Sequence, residues 1–246
     1  MAVPETPWQP PGPSSTQDEA AFDPPAASAE VAEAPPELWR VGRNTDPIRF
    51  AEITAADAQM IGAGNRFDVP GGRVLYCATS LDTCYAETLA RFRPSAAVRA
   101  AVGEQDNGFM VCGGVTADWR ATRLKVRVSL DNPLPFLNVE ALPTHEFLTS
   151  AMAEDLAQLG VGVLDVSHVR GSNRIVTRAI AAWAYSAQDD SGNACYSGIR
   201  YLSRLDGGEC WAIFEGTGVT ERGRDTITLG DEVLLRVAGS LGLRMF

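Results

Sequence analysis

The stretch from Gly62 to Arg93, GAGNRFDVPGGRVLYCATSLDTCYAETLARFR, constrains the fold more than any other part of the chain. Its Gly-rich approach carries one cation, Arg66. The apolar run VLYCA after Gly71-Gly72 predicts a strand, and Ser80 then stands in capping position before Leu81, Tyr85, Thr88, Leu89 and Phe92 at helical spacing. Loop, strand and capped helix in immediate succession can bring Arg66, the phenol of Tyr76 and the carboxylate of Glu87 to the rim of one cleft, suited to an anionic, sugar-bearing ligand. Two readings of Glu87 stand open. It falls off the apolar face of its helix, and it also lies four residues before Arg91, the spacing of an exposed ion pair. GAGNR is not G-x-G-x-x-G after a strand, and no G-K-[ST] follows, so neither a dinucleotide fingerprint nor a P-loop is present.

With 246 residues and 45% apolar content, the chain suits one domain of ordinary size. The opening MAVPETPWQPPG has neither a basic n-region nor an apolar h-region, and no window approaches the ~18 apolar residues of a membrane span, so a cytoplasmic protein without membrane contact is expected. Five cysteines without a C-x-x-C pair argue for buried free thiols rather than disulfides or zinc. Two distant histidines, His145 and His168, add no ligand motif, and no metal is expected. Of the 31 acids, seven lie in residues 1–37, which hold no base; the remaining 24 face 21 bases. A near-neutral domain of this kind argues against direct nucleic-acid binding, which needs a basic footprint. Residues 1–37, rich in Pro, Ala and Glu, are expected to form a disordered leader, and 38–246 the domain.

Leu38–Arg43 reads as a short strand, with Arg40 directed either at an anion or at solvent. Asp46–Met60 reads as a loop and a short helix. The alternation from Arg123 to Leu130 marks a half-buried strand. Thr144–Leu159 has the pattern of an amphipathic helix ending at Gly160, Val161–Val166 that of a strand, and Ser172 that of a cap on a helix running through Trp183. YSGIRYLSRLDGGECWAIFE predicts two strands about a Gly-Gly turn, with Ile199, Tyr201 and Ser203 on one face and Arg200 and Arg204 turned away from it.

Together, W-R on a first strand, a Gly-flanked Arg before an aromatic, L-Y-C-A running into a helix with Glu, Ala-Trp-Ala on a helix, and finally G-I-R-Y-L-S-R resemble the RES domain, named for its Arg, Glu and Ser. The resemblance covers residues 38–246. It implies an α+β fold, a mixed, mostly antiparallel sheet with flanking helices, similar to ADP-ribosyltransferases. It also implies a bacterial toxin that consumes NAD as a substrate, needs no further cofactor, and has an Xre-type helix-turn-helix antitoxin as partner. Carried onto this chain, the catalytic set would be Glu87, Arg66 and Ser203, with Arg40, Tyr76 and Tyr201 binding substrate. Relatives often carry an asparagine before the last apolar run, where this chain has Glu209-Cys210-Trp211. The implied reaction is cleavage of the nicotinamide–ribose bond with phosphate or water as acceptor, that of an NAD phosphorylase or glycohydrolase. The alternatives are transfer of ADP-ribose to a protein and a nucleotide-binding module without catalysis.

Overall fold

The computed structural model describes residues 28–102 and 112–246. Its strands are β1 (Val31–Ala32), β2 (Leu38–Arg43), β3 (Ala51–Glu52), β4 (Arg73–Ala78), β5 (Gly114–Val115), β6 (Arg123–Asp131), β7 (Phe136–Asn138), β8 (Gly198–Leu202), β9 (Glu209–Phe214), β10 (Gly218–Thr226) and β11 (Arg244–Met245). The helices are α1 (Ala55–Ala58), α2 (Leu81–Leu89), α3 (Ala96–Val102), α4 (Ala117–Ala121), α5 (Leu142–Ala151), α6 (Ala153–Gln158), α7 (Val166–Arg170), α8 (Arg174–Ser186) and α9 (Glu232–Ser240). The main sheet runs β1-β7-β8-β9-β4-β2-β6-β10, with β3 beside β4. All its pairs are antiparallel except β7 with β8, while β5 and β11 form a small parallel pair. This is the expected α+β architecture.

The strands form where the residues alternate. On β9, Cys210, Ala212 and Phe214 face one side and Trp211 and Ile213 the other; on β4, Val74 and Ala78 oppose Leu75 and Cys77 in the same way. One face of the sheet buries Leu148, Leu156, Val176 and Ile180 of α5, α6 and α8. A second cluster joins Tyr85 and Leu89 of α2 to Trp119 of α4 and to Leu234 and Val237 of α9. The other sheet face packs Leu38, Val126, Val128 and Trp211 with Ile48 and Phe50.

Four expectations need correction. The leader does not extend to residue 37. Up to residue 27 it lies outside the described residues, but Val31–Ala32 pairs with Leu137 and Phe136, and the Glu30 N–H donates to Thr144 Oγ1 at 2.9 Å. A two-residue edge strand offers too little pattern to be seen in a Pro/Ala-rich context. The helix expected over 144–159 begins at Leu142 and bends at Met152 (φ −116°, ψ 22°), which separates α5 from α6 while Leu148, Met152 and Leu156 all stay buried. No strand forms over 161–166: Val163 is 70% exposed, and Asp165 instead caps α7, its carboxylate accepting the Ser167 and His168 N–H groups. The cap of α8 is Asn173 rather than Ser172, with Oδ1 accepting the Ile175 N–H at 3.1 Å.

Candidate active site

A cleft of about 340 Å³ opens where α2 passes over the sheet, and Arg40, Arg66, Tyr76, Glu87 and Tyr201 line it. Across its floor the register sets Ala78 opposite Cys210 and Cys210 opposite Tyr201, so neighbouring strands supply one continuous surface.

Helix α2 forms one wall. Ser80 Oγ accepts the Thr83 N–H at 3.2 Å, as the sequence predicts for its cap. The helix buries Thr83, Cys84, Tyr85, Ala86 and Leu89, and Glu87 is left on the cleft side. Glu87 forms no ion pair or hydrogen bond with any described residue, so the Arg91 pairing does not occur. Thr83 Oγ1 donates to Asp206 Oδ2 at 2.9 Å and ties the helix to the β8–β9 turn. That closure requires Gly208, because a Cβ there would lie 2.0 Å from Thr83 Oγ1.

The opposite wall is the loop that carries Arg66. Asp68, 3% exposed, accepts from the Asn65 side chain at 3.1 Å and from the Tyr76 hydroxyl at 2.8 Å. Burial, with the Asp68 charge adding to it, pushes the Tyr76 phenol well above its ordinary range, so it stays a neutral donor. Helix α8 supports the loop from behind. The Arg178 guanidinium donates to the carbonyls of Asp57, Ala58, Met60 and Ala63, Arg174 to those of Gly62 and Gly64, and Thr177 Oγ1 to that of Arg66. Arg66 is thereby held 9% exposed, its Nη1 donating to Leu202 O at 3.1 Å and its guanidinium carbon 4.9 Å from the Tyr201 ring centroid. Burial raises the Tyr201 phenol as well, with Cys210 and Glu87 adding to the shift.

Two expected site residues have other partners. Arg40 lines the cleft, yet its Nε donates to Pro47 O at 2.7 Å, Nη1 to Tyr76 O at 2.6 Å and Nη2 to Arg49 O at 3.3 Å. It therefore fastens the 47–49 loop to β4. Ser203 is 4% exposed and not among the lining residues; its Oγ accepts the Leu205 N–H at 3.1 Å and closes the turn after β8. Arg200 is paired with Glu209 and donates to Asn138 Oδ1 at 3.2 Å, away from the cleft. Arg204, by contrast, lines the cleft, although strand alternation points it elsewhere. The strand ends at Leu202, and the turn redirects the side chain.

Arg174 and Arg91 also line the cleft. Sequence reasoning passed over Arg174, whose one local signal was its place directly after the cap of α8. Burial pushes the lining thiols Cys77 and Cys210 up to about 12 and Cys84 well above its ordinary range, so they stay protonated near neutral pH. Neither histidine reaches the cleft: His145 bonds Val139 O at 2.8 Å, and His168 belongs to the Asp165 capping box. Among the described residues no group of His, Cys, Asp and Glu is placed to hold a metal, and no helix is long and apolar enough to cross a membrane.

No curated protein matches the chain. A chain of the M. tuberculosis MbcT-MbcA toxin-antitoxin complex is similar over 85% of this chain and 92% of that chain, at 13% identity and a TM-score of 0.45. The RES domain model matches residues 37–229, which include the loop of Arg66, the helix of Glu87 and the turn of Ser203. The chain belongs to the RES domain family.

Proposed function

We propose that this protein is a toxin-type enzyme that binds NAD and breaks its nicotinamide–ribose bond, with an Xre-type antitoxin as its partner. The observation that carries the reading is Glu87, a carboxylate without an ion pair among the described residues, on the wall of a cleft lined by Arg66, Arg174 and Arg204. Family membership supports NAD as the substrate and the antitoxin as the partner.

The residues suit the chemistry. Guanidinium forks match the diphosphate oxygens of a dinucleotide, the Tyr76 ring offers a flat face to ribose or nicotinamide, and the buried Tyr201 ring backs the Arg66 guanidinium. As the C1′–N bond breaks, its electron pair goes to nicotinamide, which is cationic in NAD and leaves neutral; no acid is needed to protonate it. The positive charge that grows on the ribose is stabilised by the Glu87 carboxylate. An oxygen of phosphate or water then forms the new bond to C1′, and water releases its proton to solvent. Ser203 acts in this scheme by fixing the β8–β9 turn, and Arg40 by fixing β4 beneath Tyr76.

The test is incubation of the purified protein with NAD, following nicotinamide by chromatography and the ribosyl product by mass spectrometry. ADP-ribose-1″-phosphate at millimolar phosphate, with faster NAD loss, is the expected result. ADP-ribose alone at every phosphate concentration makes water the acceptor. Label from NAD on a protein gives the transferase alternative, and no nicotinamide release overturns the reading.

A further inference from the structure

Arg66, Arg174 and Arg204 all line the cleft and are held alike. In each, Nη1 donates to backbone carbonyls: Leu202 for Arg66, Gly62 and Gly64 for Arg174, and Arg170 and Gly171 for Arg204. Their Nε and Nη2 groups have no protein partner among the described residues, and no carboxylate pairs with any of the three. Five arginines away from the cleft, Arg73, Arg170, Arg200, Arg224 and Arg236, are ion-paired instead. Partial burial and the charges of Arg66 and Arg174 pull the Arg204 pKa down, a sign that the three cations feel one another.

Like charges gathered in one cleft repel, and a fold that anchors them to carbonyls, with Glu87 the nearby carboxylate but bonded to none of them, leaves their remaining donors preorganised for an anion. Arg40 is differently placed, with all three of its guanidinium nitrogens on carbonyls. We propose that Arg66, Arg174 and Arg204 form a seat for phosphoryl oxygens, with Arg174 and Arg204 rather than Arg40 as the partners of Arg66. The occupant is either the diphosphate of the dinucleotide or inorganic phosphate; only this choice rests on the functional reading above.

Binding is measured first without turnover, by calorimetric titration of the full chain with inorganic diphosphate at low salt. Saturable binding is expected, weakened about tenfold or more in Arg204→Gln and in Arg174→Gln, on the scale of one lost charge-assisted fork. Arg224→Gln, at an exposed arginine paired with Glu221, is expected to bind as the natural chain does. Arg204→Lys keeps the charge and loses the fork, so it should bind better than the glutamine variant and less well than arginine, even if Arg204→Gln folds poorly. Failure of the natural chain to bind diphosphate, or equal binding by all variants, overturns the seat. Intact binding without nicotinamide release upholds the seat and removes the NAD reading alone. Where turnover occurs, a raised KM for NAD in Arg204→Gln assigns the seat to the dinucleotide, and a raised half-saturation for phosphate alone assigns it to the acceptor.

Discussion

The guanidinium of Arg66 lies over the ring of Tyr201, its central carbon 4.9 Å from the centroid, and the Phe67 ring approaches Tyr201 at 4.8 Å on a 48° tilt. Loop and sheet are thus joined at the cleft by a cation held against an aromatic face. A stack of this kind contributes about 0.5–2 kcal/mol, more when water is excluded. Tyr201→Phe keeps the face and should leave the KM for NAD within about twofold. Tyr201→Leu removes it and should raise KM by roughly 3- to 30-fold. Steady-state kinetics on the two variants separates the ring from the hydroxyl.

Glu87→Gln preserves shape and removes the charge. Turnover should fall by about 10²-fold or more, the scale of losing one preorganised electrostatic stabiliser, while NAD affinity changes far less. Near-full turnover in the variant would return Glu87 to a surface role.

Arg178 never touches the cleft, yet it organises the approach to Arg66. It is 2% exposed and donates to four carbonyls of the 57–63 segment. Arg178→Lys cannot span all four acceptors and should cost about 1–3 kcal/mol in urea unfolding, the penalty for buried groups left without partners. If the arginine positions the loop, kcat/KM should fall at temperatures where the variant is fully folded. Unchanged kinetics with lowered stability would confine it to the scaffold.

Asp231 anchors the C-terminal helix. Its carboxylate caps α9 at the Val233 and Leu234 N–H groups and accepts from Tyr85 at 2.7 Å and Lys125 at 2.9 Å. Burial pushes this carboxyl up, but the Lys125, Tyr85 and Leu234 hydrogen bonds outweigh it and hold the pKa below the ordinary aspartate value. With the folded value below the unfolded one, the stabilisation is complete above about pH 4 and is lost as pH falls through the folded value. Tyr85→Phe should lower stability at pH 7 by about 1.5–3 kcal/mol, and the gap from the natural chain should shrink below about pH 4. Urea unfolding from pH 7 to pH 3 checks both.

The strand at Val31–Ala32 gives a test of the domain boundary. A chain beginning at residue 37 loses β1 and the Glu30 bonds to Thr144 and Asn138, and uncovers the edge of β7. Relative to a chain beginning at residue 28, its Tm should fall by about 5 °C or more, at ~1 kcal/mol per lost hydrogen bond and ~2–4 °C per kcal/mol. Equal melting temperatures would show that β1 adds nothing.

Much of this was legible before folding. Ser80 announced α2, alternation placed β6, β8 and β9, and the Gly-Gly pair marked the turn between the last two. Arg66, Tyr76 and Glu87 were expected at the rim of one cleft and line one, together with Arg40 and Tyr201. These features depend on local periodicity and capping, which a sequence carries directly. Val161–Val166 misled because an apolar run does not say whether a capping residue beside it will open a helix instead.

What the sequence by itself determined was the fold class, the family and the list of charged and aromatic side chains available to a cleft. Tertiary structure alone decided how those charges are used. The family resemblance favoured Arg40 and strand alternation turned Arg204 away, but in the structure Arg40 meets three carbonyls of a neighbouring loop and strand, whereas Arg204 follows the end of β8 and turns into the cleft. The physical reason is that a guanidinium's role is fixed by which acceptors lie within hydrogen-bond reach, and those acceptors come from segments far away along the chain.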